Sequence, residues 1–162
     1  MSRCRSVIAQ AHRNFRDVEV TVSQPDSTSE PAIPPVEVRI AATALQISSV
    51  RAVAADLAMR EDFDLDAIAD LKLAVDEVCS TLVRLAAPGV VLSCEFRPAA
   101  GEITVRAGVL SAGDALPRKD SFGWQVLTTL TDSVQATVEP AQDGFHLVRI
   151  ELAKRSNSVV GG

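Results

Sequence analysis

Residues 70–86 read DLKLAVDEVCSTLVRLA, and the apolar positions in and just before that stretch, Ile68, Leu71, Val75, Val78, Leu82 and Leu85, recur at alternating intervals of three and four. This period places all six on one stripe of an α-helix. Asp62, Asp64 and Asp66 supply a cap and negative charge at its start, where the helix dipole is positive, and Pro88 with Gly89 stops it. A second line, Leu73, Glu77, Thr81 and Arg84, runs away from the apolar stripe. Its plain reading is a solvated face with an internal Glu77–Arg84 attraction; its chemical reading is a site in which Glu77 is a general base.

Working outward, Val36, Val38 and Ile40 alternate with Glu37 and Arg39, the pattern of a half-buried strand. Residues 43–59 carry Ile47, Val50, Val53, Ala54 and Leu57 at helical spacing, with Thr43 as the expected cap. After the Pro88–Gly89 stop, Val90, Leu92, Cys94 and Phe96 alternate, residues 98–101 supply a turn, and Ile103, Val105, Ala107 and Val109 return as the second strand of a hairpin. A loop over 111–119 leads to a short helix around 122–132. A strand through Val134, Ala136 and Val138, a turn at Asp143–Gly144 and a last strand over about 145–152 complete the order. Strand, helix, helix, strand, strand, helix, strand, strand predicts an α/β (α+β) two-layer sandwich, a mixed five-stranded sheet with its helices on one face. The predicted domain is 36–153, between a flexible N-terminal arm over 1–35 and a frayed tail over 154–162. Residues 23–35 are rich in Ser, Thr, Pro and Glu, whereas Val18, Val20 and Val22 alternate as a short strand would.

Composition restricts the function. The 162 residues suffice for one ordinary domain, and 47% hydrophobic with 23% charged residues is a globular balance. Five Phe, one Trp and no Tyr leave few platforms for stacking bases, and a net charge of −5 repels phosphate backbones, so no direct nucleic-acid partner is expected and a basic protein partner fits better. No apolar run is long enough to span a membrane and the start lacks a signal-peptide apolar core, which predicts a cytoplasmic protein without a membrane partner. Cys4, Cys79 and Cys94 show no CxxC or Cys/His spacing, so neither a disulfide framework nor zinc is indicated. Cys79 and Cys94 are expected as small core residues, although a thiol sensor is a minor alternative for Cys79. There is no GxxxxGK[ST], GxGxxG or HExxH, His12 falls in the arm, and His146 shares a strand face with Val148 and Ile150.

The 70–86 stretch, with its LAVDEVC string, and the later string FGWQVLTTLTDSVQ at 122–135 stand in an order and separation that resemble the bacterial serine-protein-kinase anti-sigma factors. These form the RsbW family, inside the histidine-kinase-like ATPase superfamily, and the resemblance is nearest the actinobacterial SigF-type members known as UsfX or RsbW. It covers about 36–152. It implies a stress-response protein that sequesters an alternative, SigF/SigB-like sigma factor, is captured by an anti-anti-sigma factor and forms a homodimer through residues 36–41. It further implies ATP and Mg2+ as ligands, with Glu77 as catalytic base and Thr81 where the family has a magnesium-binding Asn. Gly113, Ser121 and Gly123 join Glu77 and Thr81 as nucleotide-binding positions. The departures are specific: Thr81 replaces Asn, VLSAG at 109–113 stands where an adenine-reading DxGxG is expected, and Phe122 crowds the phosphate turn. They imply a degenerate nucleotide site in a sequestering protein, the alternative being an active ATP-dependent kinase of the anti-anti-sigma factor. Arg51 on the first helix is the implied partner-binding residue, a planar donor fork for a partner carboxylate, and is otherwise an ordinary exposed arginine; Asp56 on the same helix is a further partner-binding candidate, by its charge, toward a basic sigma-factor helix.

Overall fold

The computed structural model describes residues 33–157. The expectations for the arm up to residue 32, Cys4 and His12 included, and for the last five residues lie outside that range.

Strand β1 (Val36–Ala41) is followed by a 3-10 turn (Ala44–Gln46) and helix α1 (Ile47–Arg60). Helix α2 (Leu65–Leu85), strands β2 (Val91–Ala99) and β3 (Glu102–Ser111), helix α3 (Phe122–Leu130), and strands β4 (Ser133–Pro140) and β5 (His146–Arg155) complete the chain. The stripe predicted on α2 is the buried one: Leu71, Val75, Val78 and Leu82 are at most 1% exposed and face the core with Ala67, Ala74 and Cys79. Asp64 caps this helix, its carboxylate accepting from Ala67 N–H at 2.9 Å. Thr43 does not cap α1. It precedes the 3-10 turn and makes no side-chain cap bond, because that turn delays the α-helix to Ile47.

The sheet order is β1-β2-β3-β5-β4, and every neighbouring pair is antiparallel, so the expected mixed sheet is corrected to an antiparallel one. Two helices in succession return the chain to the end of the sheet from which β2 runs opposite to β1. The single helix α3 does give β3 and β4 the same direction, but β5 inserts between them and no parallel neighbours remain. Alternation then sorts the side chains. Phe96, Cys94 and Leu92 of β2, with Ile103, Val105, Ala107 and Val109 of β3 and Val148, Ile150 and Leu152 of β5, lie against the helices. The opposite face carries cross-strand pairs such as Arg106–Glu151 and Arg149–Glu139.

Two boundaries shift. Pro98 belongs to β2, paired with Ile103, and the hairpin turn is only Ala100 and Gly101, whose φ of 72° lies in the left-handed region that glycine tolerates. The tail does not begin at 154. Strand β5 continues through Lys154 and Arg155, because Lys154 pairs with Ile103, is 8% exposed and donates to Asp70 of α2.

Candidate functional site

Helix α2 carries the polar line on the side that meets α3. Glu77 Oε1 accepts from Thr81 Oγ1 at 3.4 Å, Arg84 Nη2 donates to Thr81 Oγ1 at 3.1 Å, and the same nitrogen stands 3.6 Å from Glu77 Oε1. The three side chains named from spacing therefore form one network, as residues at i, i+4 and i+7 of a helix can.

Gly123, in the first turn of α3, completes the contact. A Cβ on Gly123 would lie 2.0 Å from Glu77 Oε1 and 2.8 Å from its Cδ, so the carboxylate occupies the room that the missing side chain leaves. Ser121 is the cap of α3: its hydroxyl accepts from Trp124 N–H at 3.2 Å and donates to the Arg118 carbonyl at 2.7 Å. Phe122, at the mouth of this junction, is 81% exposed, and Leu73, one turn before Glu77, is 55% exposed. The structure thus brings Glu77, Thr81, Arg84 and Gly123 together, with Ser121 as the cap of the helix that Glu77 touches.

Gly113 behaves differently. Its N–H donates to Ser111 Oγ at 3.2 Å, nothing lies within 4 Å of where its Cβ would be, and it has no positive φ. Neither space nor backbone angle demands glycine there. Val109, at the head of VLSAG, is 1% exposed in the core, so the position expected to hold an adenine-reading carboxylate is a buried aliphatic.

Arg51 and Asp56 are tied within the chain. Arg51 Nη1 donates to Asp76 Oδ2 at 2.7 Å, joining α1 to α2, and Asp56 pairs with Arg60 at 2.8 Å one turn on. One guanidinium nitrogen of Arg51, the residue expected at the partner surface, is thus engaged within the chain by Asp76. Sequence reasoning missed Asp76, whose second oxygen is buried without a partner. The signal available was its place between the apolar stripe and the polar line, where a carboxylate faces a neighbouring helix rather than water.

Cys79 and Cys94 are both buried, with sulfurs 3.9 Å apart between α2 and β2. The contact with Cys94 and burial push the Cys79 thiol far above its ordinary range. Elsewhere, a shallow hollow of about 290 Å3 on the open face of the sheet is lined by Arg106, Gln135, Thr137, Arg149 and Glu151.

These side chains do not fit a magnesium nucleotide. The short Thr81 hydroxyl already accepts from Arg84, the Glu77 carboxylate fills the space at Gly123, and Val109 offers adenine no acceptor. No group of three or more metal-ligating side chains occurs among the described residues, and no helix among them is long and apolar enough to cross a membrane.

No family model matches the chain. Over 100 residues, 62% of its length, it is 39% identical to the anti-sigma-F factor RsbW of Mycobacterium tuberculosis, in strain CDC 1551 / Oshkosh and in strain ATCC 25618 / H37Rv alike. The chain spans 60% of the length of these curated relatives. Among solved structures, the crystal structure of the RsbU and RsbW domains of a Mycobacterium tuberculosis protein superposes with a TM-score of 0.50 at 22% identity. That match covers 76% of this chain and 33% of the other. Over this match the two chains share a fold.

Proposed function

We propose that the chain, similar over 100 residues to the anti-sigma-F factor RsbW, is itself an anti-sigma factor, binding an alternative sigma factor of the SigF/SigB type and withholding it from RNA polymerase. The observation that carries this reading is the 39% identity over 100 residues. The chain's own chemistry supports it. A net charge of −5 suits a basic protein partner and opposes nucleic acid, and capture by surface contacts needs none of the phosphate geometry that Val109, Thr81 and Arg84 obstruct.

Release is assigned to an anti-anti-sigma factor that competes for the chain. Self-association through β1 belongs to the same reading: among the described residues β1 is an edge strand of the sheet, its register over 36–41 occupied by β2 on one side only. A cytoplasmic location follows from the proposed partners. The second reading, an ATP-dependent serine kinase of the anti-anti-sigma factor, is favoured by one observation, the retention of Glu77 in the LAVDEVC string of α2.

The test is isothermal titration of the full chain with a purified SigF/SigB-type sigma factor, alongside a phosphorylation assay with the anti-anti-sigma factor and ATP. Saturable binding without phosphate transfer is the expected result. Absence of binding under all conditions overturns the anti-sigma reading, and transfer that disappears in Glu77→Ala establishes the kinase.

A further inference from the structure

We infer that Glu77, seated against the first turn of α3 and paired along α2 with Arg84, stands in for a magnesium nucleotide, filling the α2–α3 junction with the chain's own charge so that partner capture needs neither nucleotide nor divalent cation.

Two placements carry the inference. The first is the anion. The start of an α-helix presents N–H groups and the positive end of its dipole, which favours negative charge. Here the negative charge is the Glu77 carboxylate, drawn so close to Gly123 that a Cβ would fall 2.0 Å from Oε1. The second is the cation. Arg84 Nη2 holds Thr81 Oγ1 at 3.1 Å and faces Glu77 Oε1 at 3.6 Å, so a fixed positive charge already satisfies the oxygens that a metal would take.

The two placements explain one another. Gly123 is glycine because Glu77 lies on it, and Arg84 offsets the carboxylate that would otherwise sit half-buried at the junction. Burial of Val109 removes the remaining incentive for a nucleotide base. Helix α3 thereby rests on α2 through the Glu77–Gly123 contact, and the Glu77–Arg84 pair balances that carboxylate from within α2. The closure rests on this geometry; its consequence for capture rests on the anti-sigma reading above.

Two measurements test it. In scanning calorimetry of the full chain, the melting midpoint is expected to be the same in millimolar MgATP, MgADP or EDTA. A magnesium-dependent rise of several degrees, as a saturating ligand produces, overturns the closure. The second is a double-mutant cycle. Gly123→Ala should lower the midpoint by displacing the carboxylate and should cost much less in a Glu77→Ala background. Equal losses in both backgrounds show that Glu77 does not occupy that space, and the inference falls. Sigma-factor titration separates the two readings. Binding only with MgATP overturns the closure, whereas no binding beside unchanged calorimetry overturns the anti-sigma function and leaves the closure standing.

Discussion

Lys154 Nζ donates to Asp70 Oδ2 at 3.0 Å, linking the end of the last strand to the first half of the long helix across 84 residues of chain. The lysine is 8% exposed on the helix-facing side of the sheet, so its ammonium depends on Asp70 for much of its solvation. Removal of the carboxylate by Asp70→Ala should cost about 1–3 kcal/mol, since it strands a buried donor. Lys154→Met should cost less, because it removes the charge and keeps the packing stem. Urea unfolding of the two variants checks the asymmetry; a Lys154→Met loss equal to or larger than the Asp70→Ala loss contradicts it.

Arg51 Nη1 and Asp76 Oδ2, 2.7 Å apart, tie α1 to α2. Arg51→Glu is therefore a poor probe of partner binding, since it sets two carboxylates face to face and should lower the melting midpoint by itself. Arg51→Ala and Asp76→Ala should show a coupling of about 0.5–1 kcal/mol in a double-mutant cycle, as half-exposed pairs do. A sigma-factor affinity lost in Arg51→Lys, with the fold intact by circular dichroism, would assign the remaining guanidinium nitrogens to the partner.

Asp64 caps α2, and its bond from the Ala67 N–H, followed by that from Asn157, lowers its pKa below the ordinary aspartate value of 3.8. A depressed folded pKa contributes stability that is present above 3.8 and is lost as pH falls through the lower folded value. Wild type and Asp64→Asn should therefore differ in melting midpoint at neutral pH and converge in strong acid. A gap that stays constant down to pH about 2 rejects the carboxylate as the origin of the effect.

The buried Cys79–Cys94 contact predicts chemical silence. In a Cys4→Ser background, native protein should react with a thiol reagent only as fast as it opens, and both thiols should appear at once in denaturant. Rapid native modification of one of them would instead support the thiol-sensor alternative.

Core burial on α2 gives a further check. Leu71 is fully buried in the core, so Leu71→Ala should destabilise by about 3–5 kcal/mol, whereas Leu73→Ala, two residues on but exposed, should change stability by less than about 0.5 kcal/mol. Comparable losses in the two variants would mean that the stripe has been misplaced.

The fold was legible where a local period carries it. The three-and-four spacing through Leu71, Val75, Val78 and Leu82 and the alternation through Leu92, Cys94 and Phe96 each specify an element and its buried face, because a side chain's direction follows from the backbone repeat alone. The network of Glu77, Thr81 and Arg84 was legible for the same reason: all three lie within two turns of one helix. The start of α1 was not, since Thr43 carries a good cap side chain but the 3-10 turn that follows sets the boundary.

What the sequence by itself determined is therefore the element types, the inward faces and the one polar line of α2, all consequences of interactions a few residues long. The tertiary structure decided what long-range contact alone can settle: β5 inserted between β3 and β4, Arg51 bound to Asp76, Lys154 to Asp70, and Glu77 lodged on Gly123. Those partners lie 25, 84 and 46 residues apart along the chain. No periodicity encodes such meetings, because they depend on how packed helices and strands are placed in space, which only burial of the common core fixes.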